Sequence, residues 1–474
     1  MRFVLASIVA LSLVGLKIQW IVGFGSAPLK LDAAEYFELG GHVAGGDLWL
    51  ANAPIAYRKP GYPWMIGLAH TISSEPLRCL ISIQAISRWL TVAAAGMFAW
   101  QLASLFDRPR GVIAKWCGLL AVVFILPCIS APIYVNVALT ETWFTMWLML
   151  HLNAVVAYVK DPQWRWSVAA AGTFAMTLLV RPIVTWLWLP HVLFGLWHWI
   201  SRSQSTSKWS SRFPKQGLQF IAMTMLVLGM TAPWLLRNQR QFGEAFITKF
   251  VGRNLWIVTF QPQSGAGLSI ADTTASRSLL KTFDLTPELA NAMPMSSALD
   301  SWRHTWTTHR SLETAGIQDP QIDDLMKAVA TQSIANQPRL FAWKALRRSI
   351  NFWRTPATSL PISKPKFGHD HQSGLRTWIN LRLSQSVSFN SIVLLSLMAA
   401  IIALVLSTST RSAGIWLAGV LSYFCVVTGC LEIPDYRYRM VLEPVVASVI
   451  AVALGLCFSR IVSTPVVSPQ DGTG

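Results

Sequence analysis

The stretch "SIVLLSLMAAIIALVLSTSTRSAGIWLAGVLSYFCVVTGC", residues 391–430, decides the fold. It carries most of two apolar runs, 389–407 and 413–430, separated by a short polar break with one cation, Arg411. A helix needs about 20 consecutive apolar residues to cross hydrocarbon, where only a helix satisfies its own backbone hydrogen bonds. Outward from this pair the pattern recurs at 3–24, 79–106, 112–131, 142–159, 164–180, 183–201, 216–233 and 440–459. About ten spans are therefore expected.

Composition agrees. The 474 residues are 53% hydrophobic and only 13% charged, with 23 tryptophans; a soluble domain carries about 25% charged residues. The first run mimics a signal peptide, with Arg2 as its basic start and "GSA" as a weak cleavage site, but nine further spans favour a retained helix. None of the six cysteines shows metal-ligand spacing, and no disulfide framework is implied. The expected class is an all-α polytopic membrane protein.

Charge sets the orientation. One set of short connections holds Arg2, Arg108, Arg110, Lys115, Lys160, Arg165, Arg202, Lys208, Arg212, Lys215, Arg411 and Arg460. The positive-inside rule places these loops and both termini in the cytoplasm. They account for much of the net charge of +17, so no nucleic acid partner is needed to explain it. The expected division is an N-terminal transmembrane module (1–233) with a first outer loop (25–78), a small helical extracytoplasmic domain (234–388), C-terminal transmembrane helices (389–460) and a disordered cytoplasmic tail (461–474). Within the domain, 337–356 mixes cations with apolar residues at three- and four-residue spacing. That pattern predicts a helix in the outer headgroup region, either shaping an entrance or capping the domain. His369, Asp370 and His371 lie on a Gly-flanked loop without a third ligand and read as surface.

Side chains able to do chemistry gather on the outer side. In "LDAAEYFELG" (31–40), Asp32, Glu35 and Leu39 share a helix face, with Tyr36 near it. The plain alternative is a surface helix capped by Asp32. In "YRKPGYPW" (57–64), prolines and a glycine stiffen a descending loop and fix Arg58 and Lys59 above the bilayer. A carboxylate opposite cations suits deprotonation of a hydroxyl beside a phosphate leaving group: the carboxylate takes the proton and the cations hold the developing charge. Glu141, Arg181, Arg237, Arg437 and Arg439 lie near span ends at the same level. Arginine suits phosphate because its fork donates in parallel.

The ordered set "DAAEYFELG", "RKPGYPWMIGL", "LTETWFTMWLML", "LLVRPIVTWLWLP", "APWLLRNQRQFGEAFITKFVGRNLWI" and "DYRYRMVLEP" resembles the bacterial GT-C glycosyltransferases of the family 39 type. These are related to protein O-mannosyltransferases and lipid A aminoarabinose transferases. The resemblance implies a GT-C-like bundle in a bacterial inner membrane, with a polyprenyl-phosphate-linked sugar as donor. It implies inverting transfer, outside the cytoplasm, to a hydroxyl of a lipid-linked glycan, a lipid A-type molecule or a protein. It assigns Asp32 as catalytic base and Lys59 to the donor phosphate, with Arg58, Arg237, Arg437 and Arg439 as further phosphate candidates. Glu35, Tyr36, Tyr62, Glu141 and Arg181 become acceptor-binding or supporting residues. Two positions depart from the family pattern: Val441 stands where proline is expected, and Ala33 where the mannosyltransferases carry a second acid. No cofactor is implied, and a divalent metal has no motif to support it.

Two other readings use the same residues. A lipid or polysaccharide transporter usually shows related halves and midplane binding groups; here the halves differ and the ionisable residues crowd one face. An oligosaccharide ligase or polymerase with a diphosphate-linked donor would keep the same cation logic.

Overall fold

A computed structural model of the chain describes residues 29–53, 55–106, 111–126, 134–203, 209–261, 265–293, 298–353, 391–432 and 436–463. Among them every regular element is helical and no strand occurs. The order is α1 (Asp32–Ala44), α2 (Gly61–Ile72), α3 (Pro76–Ala103), α4 (Gly111–Ile125), α5 (Glu141–Lys160) and α6 (Trp164–Val180). Then come α7 (Trp188–Ser203), α8 (Trp209–Phe242), α9 (Val251–Phe260), α10 (Thr274–Lys281), α11 (Pro287–Ala292) and α12 (Thr305–Thr314). The chain continues through α13 (Asp319–Asn336), α14 (Pro338–Phe352), α15 (Ser391–Leu406), α16 (Arg411–Leu431), α17 (Tyr436–Met440) and α18 (Glu443–Ser463).

Among the described residues four helices are long and apolar enough to cross a membrane: α3, Gly217–Phe242 within α8, α5 and α16. Shorter apolar helices occupy the expected spans at 112–131, 183–201, 389–407 and 440–459, and α6 occupies 164–180. With the hydropathy pattern, this makes the chain an all-α polytopic membrane protein. The expected first span at 3–24, the tail beyond Ser463 and the loop around His369 lie outside the described residues; residues 461–463 of the expected tail continue α18.

Helices α3, α4, α5 and α18 pack around a shared core that includes Phe98, Cys117, Phe144, Leu148 and Val449. At one end of this bundle α1 lies across α2. A Cβ on Gly40 would meet Ile66 Cγ2 at 2.2 Å, and one on Gly67 would meet Val43 Cγ1 at 2.4 Å. Only glycine at both places lets the two helices close to this distance. Helix α2 replaces part of the expected descending loop. Pro60 is its N-cap and Pro63 falls in its first turn, where a missing N–H costs nothing.

Residues 251–336 carry a separate apolar core of Trp256, Phe260, Trp302, Leu312, Ile322 and Met326. The start of α9 is capped from another helix. The Asp323 carboxylate accepts from the Gly252 N–H (3.0 Å) and the Arg253 N–H (2.9 Å), at the positive end of the helix dipole.

Candidate active site

Asp32 opens α1 but does not cap it. The N-cap is Leu31, and no side chain makes a capping bond. The carboxylate turns instead to Arg58, whose Nη2 donates to Asp32 Oδ1 at 2.7 Å. One turn along, Glu35 accepts from Arg58 Nε at 2.8 Å and Nη2 at 2.5 Å, and from the Tyr57 hydroxyl. The remaining nitrogen of Arg58 reaches Tyr36 Oη at 3.4 Å, and the guanidinium lies 4.5 Å from that ring's centroid. The helix-cap alternative is thereby removed. Glu38, on the exposed side of α1, takes no part in these contacts.

Arg437, at the start of α17, closes on Asp32 from the other side, its Nη1 3.6 Å from Oδ2. Burial pushes the Asp32 carboxyl up, but Arg58 and Arg437 outweigh it and hold the group below the usual carboxylate range. Asp32 is an anion at neutral pH. Its side chain is 36% exposed against 10% for Arg58, so it presents its charge outward while its partner stays packed.

A second carboxylate lies beyond Arg437. Glu141 begins α5, is buried, and has Oε1 3.6 Å from Arg181 Nη2 and 3.9 Å from Arg437 Nε. Its Oε2 has no hydrogen-bond partner among the described residues. The sequence expectation left Glu141 between acceptor binding and pairing with Arg181; the pair is present. Arg181 also lies over the Tyr438 ring, 5.2 Å from its centroid. Tyr36 and Tyr62 meet edge to face at 5.1 Å beneath the site, and the Tyr62 hydroxyl donates to Gln84 Oε1 at 3.0 Å. Both tyrosines act as floor.

Lys59 differs from every cation around it. It is buried, yet no ion pair or hydrogen bond holds its ammonium among the described residues; its nearest aromatic is Phe250, 6.0 Å from Nζ to ring centroid. Burial, together with the charges of Arg58 and Arg181, brings its pKa down to about 7. Glu432 and Asp323 pull the other way without compensating. An ammonium so placed either gives up its proton or takes an anion as counter-charge.

Arg237 requires a correction. It was expected at the donor phosphate, but its five N–H groups are spent on protein. Nε donates to Leu50 O (3.1 Å), Nη1 to Ile55 O (3.0 Å) and Asn238 Oδ1 (2.7 Å), and Nη2 to Leu50 O (2.7 Å) and Ala53 O. The residue is a clamp on the loop that leads into Arg58. Arg58 is likewise corrected: its donors serve Asp32, Glu35 and Tyr36. Arg439 is 2% exposed, too deep to meet solvent.

Several participants escaped the sequence reading. Tyr57 has Phe250 stacked at 5.7 Å and the guanidinium of Arg253 5.1 Å from its ring centroid. Arg253, fully buried, pairs with Asp319 and Asp323, and Asp319 Oδ2 accepts from the Ala56 N–H at 3.0 Å. Glu432 accepts from Asn254 Nδ2 at 3.1 Å, and burial raises its pKa against the pull of Arg181. The available signal was adjacency: Tyr57 directly precedes Arg58, and Glu432 precedes the "YRYR" turn.

No family model matches the chain, and no curated protein matches it in sequence. Among solved structures it is similar to the oligosaccharyltransferase AglB from Archaeoglobus fulgidus in complex with an inhibitory peptide and a dolichol-phosphate. The identity is 13% and the TM-score 0.46, over 97% of this chain and 51% of that one. It is also similar to ArnT from Cupriavidus metallidurans bound to undecaprenyl phosphate, at 13% identity and TM-score 0.39, over 95% of this chain and 78% of that one. The chain thus spans about half the length of the archaeal protein.

Proposed function

We propose that the protein is a membrane glycosyltransferase that moves a sugar from a polyprenyl-phosphate donor to a hydroxyl, with Asp32 as general base, on the extracytoplasmic face of a bacterial inner membrane. The observation that carries this reading is one juxtaposition. Asp32, kept anionic by two guanidinium groups, pairs with Arg58, and the next residue, Lys59, is buried with no counter-ion among the described residues. A proton acceptor and an anion receptor are the two groups such a transfer needs.

In the reaction the acceptor oxygen attacks the anomeric carbon as the bond to the phosphate oxygen breaks, and configuration inverts. Asp32 takes the hydroxyl proton as that oxygen bonds to carbon. Its low basicity defers proton transfer until the hydroxyl is already acidic in the transition state. Lys59, with the Arg181 charge near it, stabilises the negative charge gathering on the leaving phosphate. Glu141 holds Arg181 and Arg437 in place. The sequence motifs support the same assignment of Asp32 and Lys59; the sugar and the acceptor follow from neither.

The test is Asp32→Asn beside the wild type in purified protein, supplied with a panel of polyprenyl-phosphate and polyprenyl-diphosphate sugars. General-base contributions are ~10²–10⁴ in rate, so transfer should fall at least about a hundredfold with donor binding retained. Near-normal turnover in a folded variant would refute the base. Transfer only from diphosphate-linked sugars would move the protein to the ligase class with the same residues.

A further inference from the structure

Helix α14 packs against the membrane-crossing helix α16 by one face, and among the described residues no element covers the opposite face. On the packed side Arg348 Nε donates to Gly429 O at 2.7 Å, and Trp353 Nε1 lies 3.2 Å from Cys425 Sγ, which also sits 3.2 Å from Ser349 O. The contact is intimate: a Cβ on Gly429 would meet Ser349 Oγ at 2.1 Å and Ala345 O at 3.1 Å. Cys425 and Gly429 belong to the last two turns of α16, and at 1.5 Å per residue Cys425 is about 9 Å short of the helix end. The C-terminal half of α14 is therefore level with the outermost part of a membrane span.

The open face carries Leu340, Trp343, Leu346 and Ile350, each at least 39% exposed. Arg339 and Arg347 flank this stripe, with Arg347 5.1 Å over the Trp343 ring, and Lys344 stands beside it. No acidic residue occurs between Pro338 and Phe352. Four large apolar side chains facing water at the depth of a span end would be costly, at roughly 25 cal/mol per Å². A stripe of apolar groups rimmed only by cations matches one surface: acyl chains below a layer of lipid phosphates.

We propose that this face of α14 is a lipid-docking surface. Leu346 and Ile350 enter the upper acyl region of the leaflet on the active-site side, Trp343 lies at the headgroup boundary, and Arg339, Lys344 and Arg347 bind phosphates of anionic phospholipid. The docked helix is also a strut. Arg348 Nη1 donates to Val258 O of α9 at 3.2 Å, and α9 carries Arg253 and Asn254, which reach Tyr57 and Glu432. Lipid at α14 thereby sets the height of the domain floor above the site.

The test uses full-length protein in vesicles, in a background with the six native cysteines replaced. An environment-sensitive fluorophore is attached at Leu346→Cys and, for comparison, at the exposed Glu313→Cys of α12. With phosphatidylcholine–phosphatidylglycerol vesicles brominated high on the acyl chain, emission at 346 should be quenched to less than half and emission at 313 left unchanged. Water-like, unquenched emission at 346 overturns the proposal. So does blue-shifted emission that bromine does not quench, because protein rather than lipid would then cover the face. Separately, Arg339→Gln, Lys344→Gln and Arg347→Gln together should lower the ratio of phosphatidylglycerol to phosphatidylcholine retained through delipidation, by about fivefold per charge. An unchanged ratio in a variant with normal thermal unfolding removes the anionic-lipid part.

Discussion

Lys59 offers the sharpest quantitative test, because its burial has a sign that can be read in pH. Its native pKa lies near 7, while an unfolded lysine titrates near 10.5. Between these values the unfolded chain binds a proton that the native protein does not, so raising pH favours the native state. The cost of the buried charge is fully present below pH 7 and disappears as pH rises toward 10.5. Each pH unit in the window is worth about 1.4 kcal/mol, so between pH 7 and pH 9 the wild type should recover about 2.5 kcal/mol relative to Lys59→Met, which buries no charge. The assay compares unfolding midpoints of both proteins in nanodiscs from pH 6 to pH 9. Lys59→Met should be the more stable at pH 6, with the gap closing as pH rises. Polyprenyl phosphate should shrink the acidic gap by supplying the missing counter-charge. A gap that is constant with pH, or that widens toward alkali, would refute both the burial argument and the anion receptor.

Two further outcomes follow from the contacts. Arg237→Met strips its partners from Leu50, Ala53 and Ile55 carbonyls, and should destabilise by about 3–5 kcal/mol in chemical or thermal unfolding, while the folded fraction keeps its affinity for polyprenyl phosphate. A loss of affinity with normal stability would return Arg237 to the phosphate. Tyr57→Phe frees Glu35 from its hydroxyl and lets it draw Arg58 away from Asp32, so the acid limb of the transfer rate should move to higher pH with folding intact. A limb that stays in place would detach Tyr57 from the base.

The spans were legible because hydrocarbon leaves a chain few options: residues 391–430 must be helical wherever they lie in a membrane. Asp32 was legible for a related reason, since a carboxylate at a membrane boundary has little reason to be there unless it is paired or working. The partners were not legible. Arg58 and Lys59 are neighbours with the same charge, and nothing in their order says that one ends on two carboxylates and the other on none among the described residues. Arg237 lies in a motif that reads as phosphate-binding, and only the path of residues 50–55 reveals the carbonyls that claim it. Helix α2 was hidden by Gly61 and Pro63, which look like loop residues until they fall in a first turn.

The loop from Leu50 to Tyr57 is gripped by residues made much later: Arg237 holds its carbonyls, Asp319 its Ala56 amide, and Arg253 the Tyr57 ring. A ribosome delivers these grips roughly 180 to 260 residues after the loop itself. The part of the protein that emerges early is thus among the last to take its working shape. A chain halted before α13 would place its helices in the membrane yet leave the loop before Arg58 without its full set of grips. An incomplete copy therefore lacks the full set of contacts that orient the segment carrying Arg58 and Lys59.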